Sequence, residues 1–238
     1  MITVVLPAYN EARRIKKCVA AVKHSLVKNN YEIIIAEDGS TDETDKIAAA
    51  IVKKDKKIRL ISHREKLGRG LALKNAFKIA KGNIICYIDS DLATDMKYMP
   101  DLIAYAKKFD VVLGSRYMSG SVVRRPTLRN LVSKFYNFFV HYVIGCDVRD
   151  IQIGFKAFSR KFVEKEIMKI NEKTWAWDTI IMVNACKKGY KIKEFPIVWK
   201  EKRSKKTSIF RLLSDIRIHG IVVLKLFLKW NLGFDIRL

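Results

Sequence analysis

The sequence lacks several patterns that identify common classes of enzyme and binding protein. Its four cysteines (Cys18, Cys86, Cys146 and Cys186) are far apart and form no CxxC pair. This spacing argues against a zinc site or a redox pair, and we expect reduced thiols in a cytoplasmic protein. No GxxxxGK(S/T) loop is present, and no GxGxxG follows the first predicted strand. These absences exclude a P-loop NTPase and the ordinary dinucleotide-binding fingerprint.

Long uninterrupted apolar stretches are also absent. No segment approaches the roughly 18–20 uncharged apolar residues that a membrane-spanning helix requires. The chain passes from Met1 into a short β-branched run, without the basic region and long apolar core of a signal peptide. We therefore expect neither a signal peptide nor a spanning helix. No internal repeat or low-complexity linker is found, and 238 residues suffice for one large domain.

Acidic residues are scarce relative to basic ones. The chain has 47 lysines and arginines against 24 aspartates and glutamates, which gives a formal net charge of +23. A field of this sign attracts nucleic acid, an acidic membrane or phosphorylated substrates. The charge alone does not choose among these three partners.

Short β-branched runs alternate with helical stretches through most of the chain. Their continuous apolar character is typical of parallel strands that are covered on both faces. Strands that alternate with helices form βαβ units, so we predict an α/β fold with a mostly parallel sheet. The predicted strands are residues 2–6, 32–36, 58–62, 84–88, 110–113 and 193–199, and the predicted helices are residues 11–28, 41–53, 70–80 and 179–188.

Two later segments combine apolar and basic side chains in helical stretches. Residues 128–146 are dense in Phe, Tyr, Val and Ile, and residues 209–230 are rich in Leu, Ile and Val with interspersed charges. Both have the composition of amphipathic helices that lie in a membrane interface. We predict a main domain over residues 1–208, which includes the helix at 128–146, and a C-terminal interfacial helix over 209–238. The alternative for both segments is a helix that simply packs on the core.

Polar runs follow three predicted strands, at the ends where open α/β sheets bind ligands. They are residues 7–11, 37–42 and 89–91. Asp89 and Asp91 repel each other unless a cation or a cluster of donors compensates. Carboxylates at a partly open site suit Mg²⁺ or Mn²⁺, which also bind substrate phosphates. Residues 38–40 also fit a plain turn that caps the following helix.

In their order along the chain, these motifs resemble those of the GT-A glycosyltransferases of family 2. The motifs that carry the resemblance are VVLPAYNE (4–11), EDGSTD (37–42), GRG (68–70) and DSD (89–91). Three further motifs, GSR (114–116), RDIQIGFK (149–156) and WAWD (175–178), resemble the polyprenyl-phosphate branch, which includes dolichyl-phosphate mannose and glucose synthases. The resemblance covers nearly the whole chain and implies a GT-A catalytic domain with a nucleotide diphosphate sugar as donor.

The resemblance also implies roles for individual residues on the donor side. Asp91 is the main ligand of Mg²⁺ or Mn²⁺, with Asp89 as a second carboxylate. Asp89 and Ser90 lie against the nucleotide and its phosphates. The residues that hold the base and ribose are Pro7, Tyr9, Glu11, Ala36 and Asp38.

Further roles are implied on the acceptor side. Arg116 faces the sugar or the diphosphate. Arg129 and Ser133, one helical turn apart, receive the acceptor phosphate. The stretch that closes the site contributes Asp150, Gln152 and Lys156, and a basic loop over the diphosphate contributes Lys202 and Arg203.

The sequence departs from the family pattern at two places. Mannose synthases usually place Gln two residues after the second Asp, as a further metal ligand, whereas this chain has Ala93. Residues 91–94 instead resemble the glucose-synthase-like branch, which favours UDP-glucose over GDP-mannose as the donor. The basic loop, at residues 205–208, lacks the usual Gly before its Ser.

The resemblance implies inverting transfer of a hexose to dolichyl or polyprenyl phosphate, by a protein peripheral on the cytoplasmic face of a membrane. A phosphate acceptor is already anionic at neutral pH, so no strong base is needed. One alternative is a GT-A enzyme with a soluble or polysaccharide acceptor, whose neutral hydroxyl would require a carboxylate base near Arg129 and Ser133. A remote alternative is a basic nucleic-acid-binding protein, although helix-turn-helix, RNP and zinc motifs are absent.

Overall fold

The computed structural model describes residues 1–202 and 209–236, and it leaves out the side chains of residues 128–129 and 209–216. The strands are β1 (Ile2–Ala8), β2 (Tyr31–Glu37), β3 (Ile58–Ser62), β4 (Ile84–Ile88), β5 (Val111–Ser115), β6 (Val122–Arg124), β7 (Phe155–Ser159), β8 (Ile192–Pro196) and β9 (Val198–Lys200). Among the described residues, seven strands form one sheet in the order β3-β2-β1-β4-β7-β5-β8. Its pairings are parallel except those of β7, which lies antiparallel between β4 and β5. The predicted α/β fold with a mostly parallel sheet is confirmed.

Helices connect most of these strands. They are α1 (Ile15–Ser25), α2 (Thr44–Lys54), α3 (Arg69–Ile79), α4 (Met99–Ala106), α5 (Thr127–Ile144), α6 (Arg160–Lys165), α7 (Trp177–Lys187) and α8 (Ile209–Asn231). The predicted helices are present, with ends displaced by a few residues. The prediction missed α4, α6, β6 and β7. Strand β7 was missed because its sequence, FKAFS, contains a lysine where a central strand is expected to be apolar.

The segment predicted as one strand over residues 193–199 is divided in two. Strand β8 pairs with β5 and ends at Pro196, and β9 then leaves the main sheet to pair with β6. Proline has no backbone N–H to donate to a neighbouring strand and is therefore tolerated at the end of an edge strand. Trp199, in β9, consequently lies beside the carboxyl end of β4 and lines a cleft there.

The sheet topology brings the polar motifs to one edge. Pro7 of β1 lies opposite Ala36 of β2, and β4 runs parallel to β1 on its other side. Because β7 is antiparallel, its first residue, Phe155, pairs with the last residue of β4, Ile88. The Asp89 N–H then donates to the Gly154 carbonyl at 2.9 Å. The motifs after β1, β2 and β4 and before β7 therefore meet at this edge.

Helix α5 has a buried face and an exposed one. Asn137, Val140 and Ile144 face the core, and α5 also contacts α8, which buries Val222 and Val223. Besides Thr127 and Lys134, the described exposed side chains of α5 are apolar and follow helical spacing. They are Leu131, Val132, Phe135, Phe138, Phe139 and Tyr142, here called the α5 apolar face.

The same helices bear on the question of membrane insertion. Within residues 1–202 and 209–236, no helix is both long enough and apolar enough to cross a bilayer. The predicted boundary between the main domain and the C-terminal helix, at residue 208, lies outside the described residues.

The expectation of four reduced thiols is wrong for one pair. Cys146, just after α5, and Cys186, in α7, form a disulfide, with their Cα atoms 5.5 Å apart. Spacing in the sequence could not reveal this pair, because the two residues are 40 positions apart and meet only through the packing of α5 near α7. Cys18 and Cys86 are free and buried, and burial raises the pKa of each thiol to about 12.

Candidate active site

The loop after β1 is joined to the loop after β2 by hydrogen bonds. The Asn10 N–H donates to Ser40 Oγ (3.0 Å), and the Thr41 N–H donates to Asn10 Oδ1 (2.8 Å). Glu11 is buried, and its backbone N–H donates to Thr44 Oγ1 (2.8 Å). Two of the predicted donor motifs thus form one hydrogen-bonded rim.

The apolar residues predicted to hold the base and ribose lie at this rim. Pro7 and Ala36 are buried at paired positions of β1 and β2, so the strand ends hold them in place. Tyr9 is exposed just beyond β1, and the Lys66 ammonium lies 4.0 Å from the centre of its ring. The exposed ring of Tyr9 is the part of this group that is accessible to a nucleotide base.

Asp38 is held by the segment that precedes α3. Its Oδ1 accepts the Leu67 N–H (2.8 Å), and its Oδ2 accepts the Gly68 N–H (3.1 Å). Burial raises the pKa of Asp38, against the opposing effect of these two donors. A plain capping turn does not describe this residue, since α2 begins six residues later, at Thr44.

A shallow cleft opens at the end of β4, between that strand and β9. In it, Asp91 Oδ1 accepts the Ala93 N–H at 3.0 Å. Leu92 adopts a left-handed φ of 53°, a conformation that costs a bulky residue about 1–3 kcal/mol and often accompanies a functional site. The residues that line the cleft are Ile88, Asp89, Asp91, Leu92, Ala93, Thr94, Gly154 and Trp199.

Asp89 forms an ion pair with Arg69, the first residue of α3. Arg69 Nη2 donates to Asp89 Oδ1 at 2.5 Å. The guanidinium carbon lies 4.2 Å from the Trp175 ring centre and 5.4 Å from that of Tyr87. Burial lowers the pKa of Arg69, but the Asp89 charge outweighs it and the pKa is raised. The site-residue prediction omitted Arg69, whose place between two glycines before a helix was the available sign.

The donor set at the cleft fits Mg²⁺ or Mn²⁺. Both ions prefer carboxylate oxygens and take one or two of them, with the rest of the shell from water and phosphate. Asp91 is partly exposed in the cleft and offers such an oxygen. Residues 1–202 and 209–236 contain no group of three or more His, Cys, Asp or Glu side chains able to hold a metal.

Arg116 is engaged by Asp150 in the interior. Its Nε and Nη2 donate to the two carboxylate oxygens of Asp150, at 2.8 and 2.6 Å, and its backbone N–H donates to Asp150 Oδ2 at 2.8 Å. Burial lowers the pKa of Arg116, and Asp150 more than offsets this, so the pKa is raised. The two predicted residues are thus a buried bidentate pair, with the guanidinium 5.2 Å from the Trp199 ring centre.

Ser133 lies on α5 beside a second arginine. Arg125 Nη1 donates to Ser133 Oγ at 2.8 Å, and the Arg125 guanidinium carbon lies 5.5 Å from the Trp199 ring centre. The site-residue prediction did not include Arg125. Arg129 lies on α5 one turn before Ser133, and its side chain is outside the described part of the chain.

Lys156 and Asp178 form a buried ion pair under the cleft. Lys156 Nζ donates to Asp178 Oδ1 (2.7 Å) and to the Tyr87 hydroxyl (3.1 Å). The Tyr87 hydroxyl also donates to Asp178. Burial lowers the pKa of Lys156, against the opposing charge of Asp178. Lys156, predicted to lie in the stretch that closes the site, is fully buried.

The remaining predicted residues differ in their exposure. Ser90 is buried beside Asp89, and Gln152 is half-buried in the turn before β7. Lys202 is exposed at the end of the first described segment. Arg203 lies outside the described residues, as does the basic stretch at 205–208.

The sheet order, with one antiparallel strand and acidic strand ends at one edge, defines a GT-A nucleotide-diphosphosugar transferase fold. The chain belongs to glycosyl transferase family 2, whose family model matches residues 3–167. The resemblance of the strand-end motifs to this family is confirmed.

Named relatives match most of this chain. It is 39% identical over 216 residues to glycosyltransferase AglD of Haloferax volcanii, a match that covers 88% of this chain and 35% of AglD. It is 31% identical over 217 residues to the dolichyl-phosphate beta-glucosyltransferase of Dictyostelium discoideum, which covers 84% of this chain and 66% of the relative. The chain thus spans about a third and about two thirds of the length of these two proteins.

Solved structures with the same fold are more distant in sequence. Glucosyl-3-phosphoglycerate synthase from Mycobacterium tuberculosis, in complex with Mn²⁺, UDP and glucosyl-3-phosphoglycerate, superposes with a TM-score of 0.68 at 20% identity. The match covers 96% of this chain and 79% of that protein. This similarity supports the GT-A fold.

Proposed function

We propose that this chain transfers a hexose, with inversion, from a nucleotide diphosphate sugar to dolichyl or polyprenyl phosphate. The observation that carries the proposal is that α5 combines a polar contact at the site with an exposed apolar face. Ser133, on α5, and Arg125, two residues before the helix begins, supply a hydroxyl and a guanidinium at the site, a combination suited to a phosphate monoester. Further along the same helix, the α5 apolar face offers a surface for a lipid chain.

The chemistry requires no strong base. An oxygen of the acceptor phosphate, already anionic, attacks the anomeric carbon as the bond to the diphosphate breaks, and that electron pair leaves with the nucleotide. Asp178 is 2% exposed and is paired with Lys156, so this carboxylate does not act as a base for a hydroxyl acceptor. When bound at Asp91, Mg²⁺ or Mn²⁺ would neutralise the charge that develops on the departing diphosphate.

UDP-glucose is the donor that we favour, followed by GDP-mannose. Ala93 offers Asp91 a backbone N–H where mannose synthases place a Gln ligand. The relatives named as dolichyl-phosphate beta-glucosyltransferases support glucose, and structures of the same fold contain UDP with Mn²⁺ or Mg²⁺. These points support a UDP-sugar as the donor and a divalent metal as the cofactor.

Peripheral attachment to the cytoplasmic face of a membrane accompanies this proposal. Phe135 and Tyr142 are each 68% exposed on α5, and Leu224 is 57% exposed on α8. Lys134 and Lys225 are exposed on the same two helices. Exposed aromatic and aliphatic side chains with lysines beside them favour an anionic lipid surface.

The test is sugar transfer to a polyprenyl phosphate with radiolabelled UDP-glucose and GDP-mannose, each with Mn²⁺ and with EDTA. We expect a lipid-soluble product from UDP-glucose that EDTA abolishes, with the β configuration at its anomeric carbon by NMR. A product formed only with a soluble acceptor, or a retained anomeric configuration, would contradict the proposal. Salt-sensitive DNA binding without any transfer would favour a nucleic-acid-binding protein instead.

A further inference from the structure

Arg69 occupies a position built to hold a guanidinium. It begins α3, its side chain is 13% exposed, and its charged group lies between the rings of Trp175 and Tyr87. An arginine plane stacked on aromatic rings is held in position and keeps its charge when buried. Its Nη2 donates to Asp89 Oδ1 at 2.5 Å.

Asp89 is confined from two directions. Arg69 holds its Oδ1, and Gly154 lies so close to the carboxylate that a Cβ at position 154 would overlap it. Glycine at 154 therefore leaves room for this one placement of the Asp89 side chain. Asp91, two residues on, accepts the Ala93 N–H and lines the cleft.

The two carboxylates thus have different environments. Arg69 supplies the positive charge that a pair of carboxylates at i and i+2 requires, and it supplies it to Asp89. A divalent cation with a single protein carboxylate keeps a net positive charge with which to neutralise a diphosphate. A second carboxylate would remove that remaining charge.

We propose that Arg69 is a positioning residue that holds Asp89 away from the divalent cation, so that Asp91 is the carboxylate that binds it. Asp89 then contributes a fixed negative charge at the edge of the cleft without entering the metal shell. This inference rests on the proposed metal-dependent transfer, and it adds Arg69 and Trp175 to the residues that define the site.

The decisive measurement is Mn²⁺ binding to the nucleotide-free protein, followed by electron paramagnetic resonance. In Arg69→Met, which keeps an apolar side chain between the rings, Asp89 is released to the cation. We expect Mn²⁺ to bind about tenfold more tightly, because ligand charge count tunes affinity. Turnover should fall about tenfold with little change in the KM for the nucleotide sugar. Unchanged or weaker Mn²⁺ binding would overturn the proposal.

A second pair of variants tests the role of Asp89 directly. Asp89→Asn alone should leave Mn²⁺ affinity within about twofold of the unaltered protein, and Asp89→Asn combined with Arg69→Met should abolish the gain in affinity. A loss of Mn²⁺ binding in Asp89→Asn would make Asp89 a metal ligand and refute the inference. Arg69→Lys, which keeps the charge, should bind Mn²⁺ nearly as the unaltered protein does.

Arg160 provides the matched control. It also begins a helix and is partly buried, but it donates to the Gly82 and Ala80 carbonyls near the opposite end of β4. Arg160→Met should lower thermal stability and leave Mn²⁺ affinity unchanged. If the unaltered protein transferred no sugar at all, the proposed function would fail, whereas the Mn²⁺ titrations would still decide the role of Arg69.

Discussion

The proposed donor side and the proposed acceptor side of the site are built in different ways. On the donor side, backbone N–H groups hold the carboxylates: Asp38 accepts from Leu67 and Gly68, and Asp42 accepts from Ala12 and Thr44. On the acceptor side, α5 presents apolar side chains that touch little of the protein. A nucleotide has a fixed pattern of donors and acceptors and is best bound by a pocket formed in advance, whereas a lipid chain needs only apolar surface.

The largest effect should come from the buried pair between the two sides. Asp150→Asn leaves the Arg116 guanidinium buried without its counter-charge, which we expect to lower the free energy of unfolding by about 3–5 kcal/mol. Urea unfolding followed by circular dichroism measures this. Asp147→Asn, three residues away and 96% exposed, is the control and should change stability by at most about 0.5 kcal/mol. Equal losses of stability in the two variants would show that the Arg116–Asp150 pair does not stabilise the fold.

The next largest effect should come from the loss of the proposed metal ligand, Asp91. Asp91→Asn should lower metal-dependent sugar transfer about 100-fold or more, since a bound cation supplies several kcal/mol of transition-state stabilisation. The assay compares initial rates over a range of Mn²⁺ concentrations. Asp95→Asn, which affects only the carboxylate that accepts the Lys97 N–H nearby, should retain most activity. A fully active Asp91→Asn variant would show that the metal binds elsewhere.

A smaller effect, limited to the lipid acceptor, should come from substitution of Arg129 on α5. Arg129→Lys replaces a bidentate phosphate donor with a point charge, so the KM for polyprenyl phosphate should rise about tenfold while the KM for the nucleotide sugar stays constant. Arg124→Lys, in the exposed strand β6, is the matched control. Equal losses on both substrates would contradict the division into a donor side and an acceptor side.

The smallest effect should come from the α5 apolar face. Phe135→Ser and Phe138→Ser should each weaken binding to anionic liposomes about fivefold, or about 1 kcal/mol, with stability unchanged because both side chains are exposed. Flotation at two salt concentrations measures the binding. Val27→Ser, an equally exposed apolar position beyond the end of α1, should have no effect. If the unaltered protein does not float with the liposomes, the proposed membrane attachment is wrong.

How far the sequence could predict this structure depended on whether the determining contacts were local. Strands β3 and β4 lie where continuous apolar runs predicted them, at residues 58–62 and 84–88. Strand β7 was missed because its Lys156 is neutralised by Asp178, a partner 22 residues further along. Local patterns carry no information about such partners.

The site divides in the same way. The motifs after β1, β2 and β4 marked the correct edge of the sheet, because parallel strands place their carboxyl ends together. The sequence did not reveal which charged side chains pair at this edge. Asp89 binds an arginine 20 residues earlier, and Arg116 binds an aspartate 34 residues later. Residue types therefore predicted which side chains meet, but not which of them neutralise one another.

The Cys146–Cys186 disulfide has a consequence for how the sheet is assembled. It closes a 40-residue loop that contains all of β7, the strand inserted against the direction of its neighbours. In the chain-entropy model, such a cross-link lowers the conformational entropy of the unfolded chain. This stabilises the folded state by about 4 kcal/mol. The reduced chain must bring β7 between β4 and β5 without this restriction. Oxidised protein should therefore refold faster than reduced protein if β7 docking limits the rate.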